Sequence, residues 1–413
     1  MSTPSGSPRA SLLRNGRFVR LWVGQSVSFV GDTITLVALV VLVADLTGSA
    51  ASVGGVLVAR LLPTLASPLV GVLADRLRDR RWLLVGVDVF RAAVLLSIIF
   101  VESVVALYPL VFLLGVCQTL FNPTIRSAFP GVVAGGDLTR ANALISGSFS
   151  LAVATGPALG GVLVALVGVD AAFLIDALTF LVSAAFLLFV PMPSSRGAEG
   201  PATGEPGGES EESFVSELGA GFAYLRRARL PLGLVIGALL LLLAENSTVP
   251  AEPFLARDTF GAGEAGYGFL VASYGVGMVL GSAAMALLGD RAKLLVVYFA
   301  SIAVACASLA TVGVAPTFAL VLAAFAVAGT CNGLDNVTTD ALLQKRVPES
   351  FLGRVYSVLF LFRSVGEVAA LAAGGFIVVV LGPQDSYLLA AAAMLLFGIV
   401  ILAIIRPTRS RKS

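Results

Sequence analysis

Apolar stretches of roughly 20 residues recur along almost the whole of this 413-residue sequence. Because an α-helix rises about 1.5 Å per residue, each stretch is long enough to cross the roughly 30 Å hydrocarbon core of a bilayer. Only 13% of the residues are charged, whereas an ordinary soluble chain has about a quarter. The sequence therefore predicts an all-α integral membrane protein.

The apolar stretches form two sets of six. They cover residues 18–44, 51–74, 82–101, 107–128, 141–168 and 171–191, then 232–251, 266–288, 294–313, 317–341, 355–381 and 386–405. We therefore expect twelve transmembrane helices in two pseudo-symmetric six-helix bundles. The first stretch is too long for a signal-peptide core and has no small-residue cleavage site after it, so it is predicted to be an uncleaved span.

The segment between the two sets has a different composition. Gly, Pro, Ser and Glu dominate residues 194–213, and such a segment cannot bury enough apolar surface to order itself. Further on, four apolar residues recur at helical spacing opposite charged residues, which predicts an amphipathic helix on the membrane surface. They are Phe214, Leu218, Phe222 and Leu225. The predicted parts are an N-terminal segment at 1–17, bundles at 18–191 and 232–405, a linker at 192–231 and a tail at 406–413.

The basic residues are distributed by membrane side. With the N-terminus inside, the inner connections carry most of the arginines and lysines, and the outer connections carry only Arg257. The outer connections contain acidic residues instead, namely Asp45, Glu102, Asp170, Glu252, Asp258 and Asp385. The positive-inside rule therefore predicts that both termini are cytoplasmic. We expect a multi-pass protein of the cell inner (cytoplasmic) membrane.

The two halves share an internal repeat. A shift of 214 positions places Gly115 on Gly329 and Asn122 on Asn336. It also places Leu138 and Arg140 on Leu352 and Arg354, and Gly160–Gly161 on Gly374–Gly375, while Asp75–Arg76 falls within one position of Asp290–Arg291. Two like halves related by an axis along the membrane normal predict a substrate site near the midplane, between the halves.

The loop after the second stretch runs from Gly71 through Asp75 and Arg76 to Arg80 and Arg81. This pattern resembles the signature loop of the major facilitator superfamily. It has a glycine, three further residues, an aspartate, an arginine and a basic pair, although Arg78 replaces the usual second glycine. Its glycine permits close helix contact, and its aspartate can accept hydrogen bonds or pair with a base. The loop is therefore interpreted as part of a conformational gate, the alternative being a basic loop that only sets topology. The gate residues are Gly71, Asp75, Arg76 and Arg80.

The fifth stretch contains Gly156, Pro157, Gly160 and Gly161. This segment resembles the superfamily motif found mainly in exporters, although Ala152 replaces a further glycine. Proline removes an intrahelical hydrogen bond, and the glycines let a partner helix approach closely, so the segment can bend and close the space between the halves. An ordinary tightly packed helix pair is the alternative interpretation.

Five other stretches narrow the resemblance to enterobactin-type siderophore exporters and macrolide efflux proteins. They are residues 60–63, 138–143, 173–180, 344–348 and 352–354. The resemblance implies a two-bundle transporter that works by alternating access on a small-molecule substrate. One departure concerns the export-associated arginine of the fourth span: Val111 occupies its place, so its proton-relay role cannot be transferred.

Ionised side chains near the bilayer centre are costly, about 2.5–3.5 kcal/mol on insertion scales, so those present should face a cavity or a partner. Asp32 and Glu245 lie near the middle of the first and seventh stretches, and the repeat takes Asp32 to Asn246 beside Glu245. The candidates for proton coupling are Asp32, Glu245, Asp335, Arg363 and Glu367. In the superfamily, spans one, four, seven and ten line the cavity, and here they supply Gln25, Phe29, Gln118, Asn122, Asn246, Asn332 and Asn336.

Two ion pairs are expected within helices. Arg363 and Glu367 lie four residues apart, and Asp88 and Arg91 lie three apart, so each pair shares a helical face. The first pair has either a structural or a gating role; for the second the structural role is favoured. Arg60 and Asp176 are expected to make interhelix hydrogen bonds more than substrate contacts.

Several classes of function are not indicated. The chain has no histidine, so any proton coupling must use carboxylates. Its three cysteines, Cys117, Cys306 and Cys331, show no disulfide or metal-ligand spacing, and a net charge of +2 gives no sign of nucleic-acid binding. No catalytic constellation or phosphate-binding loop is present, so we expect neither an enzyme nor a bound cofactor.

The sequence therefore favours proton-coupled export of an amphiphilic small molecule such as a drug, siderophore or secondary metabolite. Carboxylates removed from water can exchange protons near neutral pH, which supports this hypothesis. Uptake or facilitated diffusion of a nutrient is the alternative, and a non-transporting membrane receptor is a third interpretation. The expected partners are the substrate, protons and the bilayer, and the chain is expected to be a monomer.

Overall fold

The computed structural model describes residues 12–66, 79–133, 137–190, 211–289 and 292–405, and these ranges contain helices and no strand. Ten of the described helices are long and apolar enough to cross a membrane. The described part of a further apolar helix, Ala50–Ala66, is shorter. The chain is thus an all-helical membrane protein, as predicted, while the count of twelve spans stays a prediction.

The helices of the first half follow the predicted apolar stretches. They are α1 (Gly16–Thr47), α2 (Ala50–Leu61, extended by a 3-10 turn at Leu62–Ala66), α3 (Arg80–Ile98), α4 (Val104–Val132), α5 (Leu138–Val167) and α6 (Val169–Leu188). Helix α1 begins where the Asn15 side chain accepts from the backbone N–H groups of Arg17 and Phe18, and it ends at Gly48, whose φ is 59°. Such caps supply hydrogen-bond partners to the backbone N–H and C=O groups that are left unpaired at the ends of a helix.

The second half begins with a helix at Glu211–Leu225, called here the linker helix. It continues with α7 (Arg229–Asn246), α8 (Gly263–Leu288), α9 (Leu294–Val314), α10 (Phe318–Arg346), α11 (Glu349–Leu381) and α12 (Pro383–Ile405). Between α7 and α8 the chain makes short helical turns at Val249–Ala251, Glu252–Phe254 and Leu255–Thr259.

The helix packing repeats from one half to the other. Helix α1 packs against α5 and α6, and α7 packs against α11 and α12. In the same way α2 packs on α4 and α3 on α6, while α8 packs on α10 and α9 on α12. Each of these pairs recurs six helices later, as the internal repeat predicts. The halves meet chiefly where α5 packs on α8 and α2 packs on α11.

The linker helix packs on α11. Leu225 is buried, Phe222 lies 5.7 Å from Phe362 between ring centroids, and Tyr224 stacks on Phe351 at 4.9 Å. A helix is therefore present in the predicted place and packs on α11, while its position on a membrane surface stays a prediction.

Candidate functional site

A carboxylate of α1 is paired with a base of α2. Asp32 Oδ1 lies 3.7 Å from Arg60 Nη2. Both residues line a small cavity together with Gln118 of α4 and Asp176 of α6. Asp176 accepts hydrogen bonds from Thr35 Oγ1 at 2.5 Å and Thr179 Oγ1 at 2.8 Å. The first half thus holds the partly exposed Asp32 with a base and the buried Asp176 with hydroxyls, in the interhelix role expected for Arg60 and Asp176.

A second ion pair lies deeper in the same half. Arg91 Nη1 is 3.8 Å from Asp88 Oδ1, which confirms the pairing expected from their spacing. The Arg91 guanidinium also lies 4.9 Å from the ring centre of Phe121 and 5.2 Å from that of Phe180. The buried charge is therefore stabilised by a partner and by two aromatic faces, which fits a structural role.

Glu245 of α7 is held by neutral partners. It accepts from the Tyr274 hydroxyl at 2.9 Å and from Asn332 Nδ2 at 3.1 Å. The network continues, because Asn336 Nδ2 donates to Asn332 Oδ1 at 2.8 Å and Arg363 Nη2 donates to Asn336 Oδ1 at 2.9 Å. The structure thus brings four of the predicted site residues into one chain of hydrogen bonds.

This network corrects the expected Arg363–Glu367 ion pair. Arg363 is turned toward Asn336 on α10, and among the described residues no ion pair joins it to Glu367, which is half-buried. Spacing on one helix allows the pair, but an acceptor on a neighbouring helix competes for the same guanidinium. Asp335 lies beside Glu245 and Asn332 in a small cavity.

The two networks occupy equivalent places in the repeat. The shift of 214 takes Arg60 to Tyr274 and Gln118 to Asn332. Arg60 is the partner of Asp32, and Tyr274 and Asn332 are the partners of Glu245. Tyr274 was not identified from the sequence, although applying the shift to Arg60 would have found it.

A cavity of about 200 Å³ lies beside Glu245. Its apolar wall includes Leu36, Val40 and Leu57 of the first half. Its other wall comes from the second half and combines aromatic rings with carboxylates. The residues that define that wall are Glu245, Asn246, Glu252, Tyr267, Tyr274, Phe325 and Tyr387.

Glu252 lies in the connection between α7 and α8, and it is turned toward the cavity. The chain leaves α7 as short helical turns that stay against α1, α8 and α11. Glu252 is therefore half-buried and lines the cavity with Glu245. Its position at the end of an apolar stretch did not indicate this, because the turns are set by packing against other helices.

The remaining predicted cavity residues lie in varied surroundings. Gln25 is buried and donates to Ser183 Oγ of α6 at 3.3 Å. Phe29 packs edge-to-face on Phe149, with ring centroids 5.3 Å apart. Asn122 is exposed on α4. Of these, Gln25 is held within its own half.

Comparison with known proteins identifies the family. A family model described as "Transmembrane secretion effector" matches residues 7–412. The chain belongs to the major facilitator superfamily. The chain is 26% identical to the uncharacterised transporter YfiS of Bacillus subtilis, with 97% of this chain and 96% of that protein covered. It is 24% identical to macrolide efflux protein A of Streptococcus pyogenes, with 93% and 95% covered.

A solved structure shows the same fold. The D323A mutant of the nucleoside transporter NupG matches with a TM-score of 0.78 at 14% identity, over 94% of this chain and all of that one (100%). The family model and the relatives confirm the resemblance to the superfamily and to its macrolide efflux branch. The chain is a membrane transporter of this superfamily.

The superfamily's signature loop lies mostly outside the described residues. The residues outside the described ranges are Gly71, Asp75 and Arg76, and also the Asp290–Arg291 pair that the repeat relates to Asp75–Arg76. Arg80 is described and begins α3, directly after Asp79, whose side chain accepts from the Arg81 backbone N–H at 3.2 Å. The gate role of this loop stays a prediction.

The exporter-like segment of α5 lies at the contact between the halves. Gly156 and Gly160 face α1, whereas Gly161 lies so close to Gly268 of α8 that a side chain there would overlap its backbone. The shift of 214 relates this contact to Gly375 of α11, which lies equally close to Ala51 of α2. Glycine is needed at both places because the helix backbones touch.

One ion pair joins the halves at the end of the bundle remote from the linker helix, and a second one lies beside it within the second half. Arg257 Nη1 lies 2.6 Å from Asp45 Oδ1 of α1, and its Nε lies 3.8 Å from Glu264 Oε1 of α8. Asp45 belongs to the first half and the other two residues to the second. We call this set the end latch, and it must break if the halves separate at that end.

Removing one partner of the end latch should loosen it modestly. The Arg257 and Asp45 side chains are 25% and 44% exposed, and ion pairs with such access to water contribute up to about 1 kcal/mol. We expect Asp45→Asn to increase the population separated at that end by up to about fivefold, measured by distances between spin labels. Asp170→Asn, an exposed carboxylate at the start of α6, is the control. Restoration by the double exchange Asp45→Arg with Arg257→Asp would establish the pair, and an unchanged distance distribution in Asp45→Asn would contradict it.

Proposed function

We propose that the protein is a proton-coupled exporter of amphiphilic small organic molecules. The observation that carries the proposal is the equivalent placement of Asp32 and Glu245, one carboxylate from each half, on α1 and α7. Carboxylates on helices of membrane-spanning length favour partners that neutralise them, whether a proton or a base. They therefore provide a place where a proton can be taken up and released during a transport cycle.

The proposed topology has twelve spans and both termini in the cytoplasm, with bundles at 18–191 and 232–405 and the linker at 192–231 between them. In that topology the end latch and the glycine contacts face the outside. The halves are then closed on the outer side, and the route for cargo is from the cytoplasm. We propose the inner membrane of the cell as the location and a monomer as the working unit.

The proposed direction is outward. The chain's relatives include macrolide efflux protein A, a putative bacilysin exporter at 27% identity and an enterobactin exporter at 25% identity. The closed outer side is consistent with a state that accepts cargo from inside. In the proposed cycle, cargo and proton compete for Glu245. After the cargo has been released on the outer side, a proton from that side takes its place at Glu245.

The test is transport in sealed proteoliposomes with an imposed pH gradient. We expect a gradient that is acidic on the outer side of the protein to drive accumulation of an amphiphilic fluorescent substrate on that side. A protonophore that collapses the gradient should remove this accumulation. Transport by the wild type at the same rate without a gradient would refute proton coupling, and accumulation only in the inward direction would favour uptake.

A second test addresses the proposed proton sites. Asp32→Asn and Glu245→Gln are each expected to slow gradient-driven transport, because an amide keeps the side-chain size but cannot carry a proton in exchange. The measurement is the initial rate in the same vesicles at equal protein content. Normal gradient-driven rates in both variants would exclude these two residues as the coupling site.

A further inference from the structure

The two halves differ by one charge at an equivalent position. In the first half the partner of Asp32 is Arg60, at 3.7 Å. In the second half the residue related to Arg60 by the repeat is Tyr274, a neutral donor to Glu245. The first carboxylate is therefore neutralised by a base of its own half, whereas the direct side-chain partners of Glu245 are a tyrosine and an asparagine.

The surroundings of Glu245 add negative charge. Glu252 lines the same cavity, and Asp335 lies with Glu245 in the adjoining one, where Asp335 Oδ1 has no hydrogen-bond partner. In the described part of the chain, neither lysine nor arginine lines the 200 Å³ cavity. Arg363 reaches Glu245 only through Asn336 and Asn332. This cavity is therefore poor in positive charge.

The walls of the cavity suit an apolar cation. Tyr267, Tyr274 and Tyr387 line the cavity, and the faces of aromatic rings attract a desolvated organic ammonium group. Leu36, Val40 and Leu57 give the opposite wall an apolar surface. An apolar cavity of about 150 Å³ holds benzene, so a cavity of about 200 Å³ has room for one ring and a short ammonium arm.

We propose that this cavity binds the ammonium group of a compact organic cation, with Glu245 as its counter-ion. The proposal rests on the proposed transport function and names the substrate class for it. Tyr274 is neutral where the first half has Arg60, so it does not neutralise Glu245, and the carboxylate can bind a cationic ligand. Arg60 fills the corresponding role in the first half, so that half does not bind the cation.

The test is binding to the purified full-length protein in detergent, which does not depend on transport. The probe is benzyltrimethylammonium, whose charge is permanent, and it is compared by calorimetric titration with neopentylbenzene, its uncharged isostere, and with benzenesulfonate. We expect the cation to bind at least tenfold more tightly than either comparison compound. Equal affinity for the cation and the uncharged isostere would overturn the proposal.

Three variants locate the site. Tyr274→Arg copies the first half and should weaken cation binding at least tenfold, because the new base neutralises Glu245. Glu217→Gln, on the exposed linker helix, is the control and should leave affinity unchanged. Glu245→Gln preserves side-chain size and should also weaken cation binding tenfold. It therefore tests whether Glu245 is the counter-ion even if Tyr274→Arg does not fold. Unchanged affinity in Glu245→Gln would refute the assignment.

Binding and transport failures can be told apart. If neutral substrates move with the pH gradient but the cation does not bind, the inferred substrate class is wrong and the transport function stands. If the cation binds through Glu245 but no substrate follows an imposed gradient, the site is supported and the proposed function is wrong.

Discussion

Replacing Glu245 by glutamine is expected to reduce gradient-driven transport at least about tenfold while leaving the fold intact. Glutamine has nearly the same size, and its carbonyl oxygen can still accept from Tyr274 or Asn332, which lie at 2.9 and 3.1 Å from the carboxylate. What it loses is the charge. A hydrogen bond to a charged group contributes about 1.5–3 kcal/mol of interaction free energy. Since each 1.4 kcal/mol corresponds to about a tenfold change, losing the charge is expected to lower the transport rate at least about tenfold.

The measurement compares initial rates in proteoliposomes at equal protein content. Glu217→Gln is a matched control, because Glu217 is exposed on the linker helix and the substitution is chemically identical. It should transport like the wild type. We expect the melting temperatures of both variants to lie within a few degrees of the wild type. Gradient-driven transport by Glu245→Gln at the wild-type rate would contradict the assignment of Glu245.

A leucine at Gly161 is expected to reduce transport by more than tenfold by holding the halves apart where α5 meets α8. Any side chain at Gly161 would overlap the backbone of Gly268, and two helix backbones cannot shift as a flexible side chain can. Overpacking of this kind costs about 1–3 kcal/mol. Here much of that cost can be relieved by separating the halves, so the closed arrangement becomes less populated.

Spin labels at exposed Val167 and Thr259, in a background without the three native cysteines, would measure that separation. Gly161→Leu should lengthen their mean distance. Gly147→Leu is the matched control, since Gly147 lies in the same helix and a side chain there meets no neighbour within 4 Å. Gly375→Leu, at the symmetry-related contact, should slow transport as Gly161→Leu does. Normal transport by Gly161→Leu would show that close approach at this point is not required.

The sequence alone predicted much of the fold. Helices fall on the apolar stretches because a bilayer-length run of apolar residues satisfies its backbone within one helix. The shift of 214 predicted like halves, and helix pairs such as α1–α5 and α7–α11 recur accordingly. Local spacing predicted the Asp88–Arg91 pair correctly, since both residues lie on one helical face.

The candidate site was predicted only in part. Asp32 and Glu245 were identified by depth and by the repeat, and Asn332, Asn336 and Arg363 were named as candidates. Their partners could not be read from composition or periodicity. A guanidinium on α11 has several acceptors within reach, and which of them it meets depends on how α10 and α11 pack.

What the sequence by itself determined is the set of helices and the two-fold repeat, because hydrophobic length and residue order act locally along the chain. Only the tertiary structure decided that Arg60 faces Asp32, that Tyr274 faces Glu245 and that Glu252 turns into the cavity. These are contacts between helices, and the geometry of packed helices, not the spacing within one helix, selects the partner of a buried charge.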